Sequence, residues 1–186
     1  APDWVVVGAG TGGTSATLGR YVRYKPCYAD RTKVCVVDPE GSAFFPFYRD
    51  GAAPETARAS AVVEGVGRPR VEASFMPGVI DRMIAAPDAA SAAAARWLEG
   101  VLGRKCGPST GLNMLGALTL AQELADAGRS GSIATLICDP GERYLDTCFN
   151  DGWVAAQGLE LAPWSDVFAR FEATGRFEAR LASATR

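Results

Sequence analysis

Residues Val5 to Thr14 read VVVGAGTGGT, an apolar run that ends in a turn built almost wholly of glycine and threonine. Trp4 and the three valines after it suit a strand buried on both faces of a parallel sheet. Gly8, Gly10, Gly12 and Gly13 then permit positive φ and bring backbone N–H groups up to a ligand with no Cβ in the way. Thr11 and Thr14 add hydroxyl groups. From Thr14 to Tyr24 the chain consists of helix formers interrupted by Gly19, and Pro26 marks the far end. A helix starting there aims its unpaired amides into the turn, which suits a phosphate.

Two kinds of phosphorylated ligand fit this stretch. Gly8, Gly10 and Gly13 satisfy G-x-G-x-x-G, and Asp38 follows the strand Lys33 to Val37, 25 residues beyond Gly13. That is close to the ~20 expected for an acid on a ribose, and it predicts a nicotinamide or flavin oxidoreductase. Asp38 equally opens the turn Asp38-Pro39-Glu40-Gly41, where a carboxylate caps local backbone.

Later motifs separate the two. Cys106 to Asn113 reads CGPSTGLN and places Ser109 or Thr110 at the start of a second long helix, and the strand from Ser132 to Ile137 ends in Cys138, Asp139 and Pro140. With Gly10 to Thr14, VDPEGS at 37–42 and EGVG at 64–67, the pattern from about Asp3 to Trp153 resembles the cysteine synthase and cystathionine β-synthase family of pyridoxal-phosphate enzymes. The wording SATLGRY at 15–21, SAFF at 42–45 and GRPRV at 67–71 is most similar to its L-cysteine desulfhydrase branch.

The resemblance implies the large-domain portion of a fold-type-II enzyme with pyridoxal 5′-phosphate as cofactor and a small amino acid as substrate. It implies that Gly10, Thr11, Gly12, Gly13 and Thr14 wrap the phosphate and that Ser109 bonds the pyridine nitrogen. Gly65, Val66 and Gly67 would line the substrate side of the ring, and Asp139, between Cys138 and Pro140, would approach the pyridine end. The implied reaction is β-elimination on L-cysteine to sulfide, pyruvate and ammonia, with cysteine synthesis from O-acetylserine as the alternative. A serine hydroxyl suits a neutral ring nitrogen, whereas an aspartate would keep that nitrogen protonated. Pro108 and Leu112 depart from the usual family pattern, and Ser109 taken alone reads as a helix N-cap.

The family carries its cofactor on a lysine of an amino-terminal domain, beside a serine/threonine–glycine–asparagine loop for the substrate carboxylate. Lys25, Lys33 and Lys105 match none of those places. The resemblance therefore implies that residues 1–153 are the carboxy-terminal portion of a catalytic unit and that 154–186 are a helical extension. A missing amino-terminal half would carry the lysine, no catalytic residue would lie here, and the segment alone would be inactive. The complete enzyme is expected to be a homodimer; a non-catalytic remnant is the rival.

Composition narrows the classes. At 186 residues and 48% hydrophobic the chain can bury one core. A net charge of −2 without a basic stripe argues against nucleic acid as a partner. The longest apolar runs are too short for a bilayer and no charged leader precedes one, so no membrane partner and a cytoplasmic home are expected. The absence of histidine removes histidine triads and histidine metal ligands, and no metal site is expected. Cys27, Cys35, Cys106, Cys138 and Cys148 form no C-x-x-C pair and read as free thiols. Cys35 and Cys138 are expected to pack in the core, while Cys106 stands beside the site.

Periodicity predicts strands at 4–8, 33–37 and 132–138, strand-like pieces at 61–66 and 71–75, and helices at 14–24, 77–83, 89–103 and 110–127. Asp88 is expected to cap the third of these helices. Trp164, Val167, Phe168 and Phe171 recur at helical spacing, and a second short helix is expected around Phe177 and Leu181. The predicted fold is α/β, an open, mainly parallel sheet with helices on both faces and the loops after 4–8 and 132–138 on one rim.

Overall fold

The computed structural model describes residues 1–60 and 62–185. Its strands are β1 (Trp4–Gly8), β2 (Lys33–Pro39), β3 (Arg82–Ala86), β4 (Ile133–Thr135) and β5 (Ala182–Thr185). The helices are α1 (Gly13–Tyr24), α2 (Pro26–Ala29), α3 (Phe44–Asp50), α4 (Asp88–Leu102), α5 (Pro108–Asp126), α6 (Asp151–Ala156) and α7 (Ala162–Thr174). Among the described residues the sheet runs β4-β1-β2-β3-β5, parallel throughout except for β5, which is antiparallel to β3. The expected α/β architecture is therefore present.

Alternation along the strands sorts the core into two layers. Val6, Cys35, Val37 and Ile84 pack with residues of α4, α5 and α7. Val7, Val34, Val36 and Met83 pack with residues of α1 and α3 on the opposite face. Val6, Val34, Val36 and Val37 are wholly buried, and each such side chain contributes about 1.5–3 kcal/mol relative to exposure. The β1–β2 pair, rather than the short edge strand β4, is thus the rigid base for the turn that follows β1.

Several elements depart from the periodicity. The expected helix at 77–83 is a single 3-10 turn at Pro77–Val79 followed by β3. Arg82-Met83-Ile84-Ala85-Ala86 is made largely of helix formers, but insertion between β2 and β5 overrides that local preference. The strand-like pieces at 61–66 and 71–75 are not strands among the described residues; Ala61 lies outside them. Helix α3 falls in a stretch for which the periodicity predicts no element; its Pro46 lies in the first turn, where proline is tolerated. Asp88 is the first residue of α4, and the N-cap is Pro87, with no side-chain cap. Phe177 and Leu181 lie in an irregular segment between α7 and β5 and form no second helix. The aromatic stripe of α7 packs on α4 of the same chain, with Phe168 stacked on Trp97 at 4.8 Å. Among the described residues no helix is long and apolar enough to cross a membrane.

Asp38 resolves as a structural cap. It is 0% exposed, and its Oδ2 accepts the Phe45 amide of α3 at 2.9 Å. Oδ1 has no partner among the described residues. Burial pushes the carboxyl up to about 7, against the lowering pull of the Phe45 amide and the Ser42 hydroxyl. The folded state thus holds this proton more tightly than an unfolded chain, whose carboxyl titrates near ~3.9. The associated stability is fully present below that lower value and is lost as pH rises through about 7. The urea midpoint of the wild type is expected to fall between about pH 4 and about pH 7, and Asp38→Asn to flatten that decline. Equal slopes for the two proteins would show that the Asp38 carboxyl titrates normally.

Candidate functional site

A cavity of about 490 Å³ opens where β1 and β4 end. Gly10, Thr11, Gly12, Gly13 and Thr14 line it from the β1–α1 turn. Gly65 and Val66, Ser109 at the start of α5, and Asp139 beyond β4 complete the wall. Gly67 is not part of that wall: its amide donates to the Ala9 carbonyl at 2.9 Å, and a Cβ there would lie 2.5 Å from Pro39 Cγ. A larger hollow of about 630 Å³, bordered by Arg58, Asp88 and Trp164, gathers none of these residues.

The turn's glycines have different physical causes. Gly12 has φ +87°, and a Cβ on it would lie 2.6 Å from Phe75 Cα. A Cβ on Gly10 would lie 2.1 Å from the Gly65 carbonyl oxygen. Both positions are dictated by packing of the 64–75 segment. At Gly13, by contrast, a Cβ would meet only Thr11 Oγ1, at an ordinary 3.5 Å. No described protein atom requires glycine there, and the backbone borders open space on this side.

Donors converge on that space. The Thr14 and Ser15 amides, in the first turn of α1, have no protein acceptor among the described residues. Of the two, Thr14 lines the cavity, while Ser15 is buried and its hydroxyl donates to the Gly12 carbonyl at 3.0 Å. No acidic residue occupies this first turn, so no side-chain carboxylate there competes with an anion for the positive end of the helix dipole. Arg68 also lines the cavity. It was missed in the sequence, although GRPR at 67–70 placed a guanidinium directly after the glycine turn.

The opposite wall is set by α5. Its N-cap is Gly107 and its first residue Pro108, so Ser109 is the second helical residue and makes no cap. The N-cap reading of Ser109 is overturned. Thr110 Oγ1 accepts the Cys138 amide at 3.0 Å, whereas the Ser109 hydroxyl has no partner among the described residues. Asp139 is held by its carbonyl, which accepts the Gly107 amide at 3.0 Å, and by its Oδ2, which accepts the Tyr144 hydroxyl at 2.7 Å. Burial and the Asp139 carboxylate hold the Tyr144 phenol above its ordinary range.

Asn113, one turn beyond Ser109, was also missed; the i, i+4 spacing on one helix face was the available signal. Its Nδ2 donates to the Leu136 carbonyl at 3.3 Å, which pins the chain leaving β4 against the cavity. The expected strand to residue 138 accordingly stops at Thr135.

Cys138 is exposed on the cavity wall and is not a core residue, because the chain leaves the sheet before reaching it. Cys106 is buried, and burial pushes its thiol up, the reverse of activation. None of the lysines lines the cavity. Lys25 lies over the Tyr21 ring, Lys33 over that of Trp4, and Lys105 pairs with Glu99. Asp38, spent on α3, lies outside the cavity and does not serve as a ribose-binding acid.

Residues 1–139 match the family described as "Pyridoxal-phosphate dependent enzyme". The chain belongs to that family. It is 56% identical over 176 residues to the "L-cysteine desulfhydrase Cds1" of Mycobacterium tuberculosis, covering 95% of this chain and 47% of that protein. It is 32% identical over 181 residues to the "Cysteine synthase 2" of Neurospora crassa, covering 90% of this chain and 38% of that protein. Identity to the "Cystathionine beta-synthase" of Rattus norvegicus is 32% over 161 residues, covering 84% of this chain and 26% of that protein. The chain thus spans about half or less of the length of these curated relatives. Pyridoxal phosphate is the family's cofactor. The site's donor chemistry fits it, with free amides at a glycine turn for a phosphate and a free hydroxyl across the same cavity for a ring nitrogen.

Proposed function

We propose that this chain is the cofactor-holding half of a pyridoxal-phosphate enzyme that eliminates sulfide from L-cysteine, leaving pyruvate and ammonia. The carrying observation is that Thr14, whose amide is unpaired at the start of α1, and Ser109, whose hydroxyl is unpaired, line one cavity. L-Cysteine is preferred over O-acetylserine because identity is 56% to the relative named a desulfhydrase and 32% to the one named a synthase.

When bound, pyridoxal phosphate supplies an electron sink next to the substrate's α-carbon. Gly13, Thr14 and the Thr11 and Thr14 hydroxyls hold its phosphate at the dipole of α1. Ser109 donates to the ring nitrogen without protonating it, which moderates the pull on the substrate's electrons. Asp139, fixed by Tyr144, would stand at the pyridine end, and Gly65 and Val66 would line the substrate side. In this reading the lysine that carries the cofactor lies on a segment outside these 186 residues.

The test is product analysis with the complete enzyme. L-Cysteine is expected to yield sulfide and pyruvate in equal amounts. Ser109→Ala is expected to lower both rates about tenfold, as loss of one hydrogen bond implies, with cofactor affinity almost unchanged. Wild-type rates in that variant would sink the role of Ser109. Net cysteine formation from O-acetylserine and sulfide, with no pyruvate from L-cysteine, would replace elimination by synthesis.

A further inference from the structure

We infer that Arg68 is a second anion-binding group of the cavity, contacting an oxyanion of the bound cofactor or of the amino-acid substrate. The inference rests on the proposed function and adds to it a residue outside the glycine turn.

The backbone of Arg68 is fixed at both ends. Its amide donates to Ser42 Oγ at 3.1 Å, and its carbonyl accepts the Ala43 amide at 2.8 Å. The preceding residue, Gly67, is tied to Ala9 in the glycine turn. The side chain therefore leaves a rigid base. Nη1 donates to the Gly67 carbonyl at 3.0 Å, and Nη2 lies 3.9 Å from where a Cβ on Gly10 would stand.

Charge accounting sets Arg68 apart. Neighbouring Arg70 pairs with Glu72 at 3.2 Å. The cavity's carboxylates, Glu64 and Asp139, both face Arg143, each at 3.9 Å. Arg68 forms no ion pair among the described residues and is partly buried. A guanidinium with spare donors beside the cavity is available to an anion, and its planar fork suits a phosphate or a carboxylate. The cofactor brings the first and an amino acid the second. The shared chemistry is an oxyanion beside Gly10, and the two sources are separable by experiment.

In the complete enzyme, dissociation constants are to be measured for wild type, Arg68→Gln and Arg68→Lys. The probes are pyridoxal phosphate and phosphate-free pyridoxal on the apoenzyme. L-Alanine and carboxylate-free ethylamine are then tested on the holoenzyme, followed by cofactor absorbance. Arg68→Gln is expected to weaken by about tenfold either pyridoxal phosphate but not pyridoxal, or L-alanine but not ethylamine. The first result identifies the phosphate and the second the carboxylate, and Arg68→Lys should recover part of either loss. Constants within about twofold of wild type for all probes, or equal losses for the charged and uncharged member of each pair, would overturn the inference. A wild-type protein that fails to bind pyridoxal phosphate would instead sink the proposed function itself.

Discussion

Gly13→Ala is expected to abolish tight pyridoxal-phosphate binding in the complete enzyme while leaving the fold intact, whereas Gly12→Val is expected to cost the fold itself. At residue 13 the added methyl meets only Thr11 Oγ1 at 3.5 Å, and the position begins a helix, where alanine is well tolerated. The methyl would occupy the space through which a phosphate reaches the backbone. A steric conflict of about 1–3 kcal/mol there corresponds to a loss of up to about 100-fold in affinity. Gly12 is different, because its φ of +87° and the 2.6 Å approach to Phe75 Cα both oppose a β-branched side chain. Those two effects together cost at least about 3 kcal/mol, a large part of the 5–15 kcal/mol that holds an ordinary domain. Thermal unfolding and cofactor titration of both variants separate the cases. Unchanged affinity in a folded Gly13→Ala enzyme would reject the phosphate cradle.

The isolated 186-residue chain is expected to release neither sulfide nor pyruvate from L-cysteine and to form no cysteine from O-acetylserine. No lysine lines the cavity, and in the proposed reading the lysine that carries the cofactor lies on another segment. Leu136, Ile137 and Leu145 are 46%, 47% and 49% exposed, and such apolar surface favours self-association when the rest of the enzyme is absent. Co-expression with a family-like amino-terminal segment is expected to restore both cofactor absorbance and turnover. Robust cofactor-dependent turnover by the mass-verified lone chain would show that the catalytic base is present after all.

The β1–α1 turn was legible because its information is local: four glycines and two threonines between an apolar run and helix formers leave few other conformations. Ser109 and Asp139 were legible only through the order of motifs, since nothing in CGPSTGLN by itself distinguishes a cofactor contact from a cap. Strand β3 was illegible because Arg82, Met83, Ala85 and Ala86 favour helix when isolated, and only its neighbours β2 and β5 make it a strand. Arg68 and Asn113 escaped for a related reason. That Arg68 has no carboxylate partner among the described residues, and that Asn113 reaches the Leu136 carbonyl 23 residues away, are properties of neighbours in space.

The antiparallel strand β5 also sets a timetable for synthesis. Arg82 on β3 bonds Ser183, 101 residues later in the chain. At roughly 5–20 residues per second, a ribosome needs on the order of 5–20 s to deliver the strand that shields this side of β3. During that interval the outer edge of β3 offers a row of unpaired amides and carbonyls to any other nascent chain. The same four residues that finish the sheet therefore decide how long each new molecule is open to joining the wrong one.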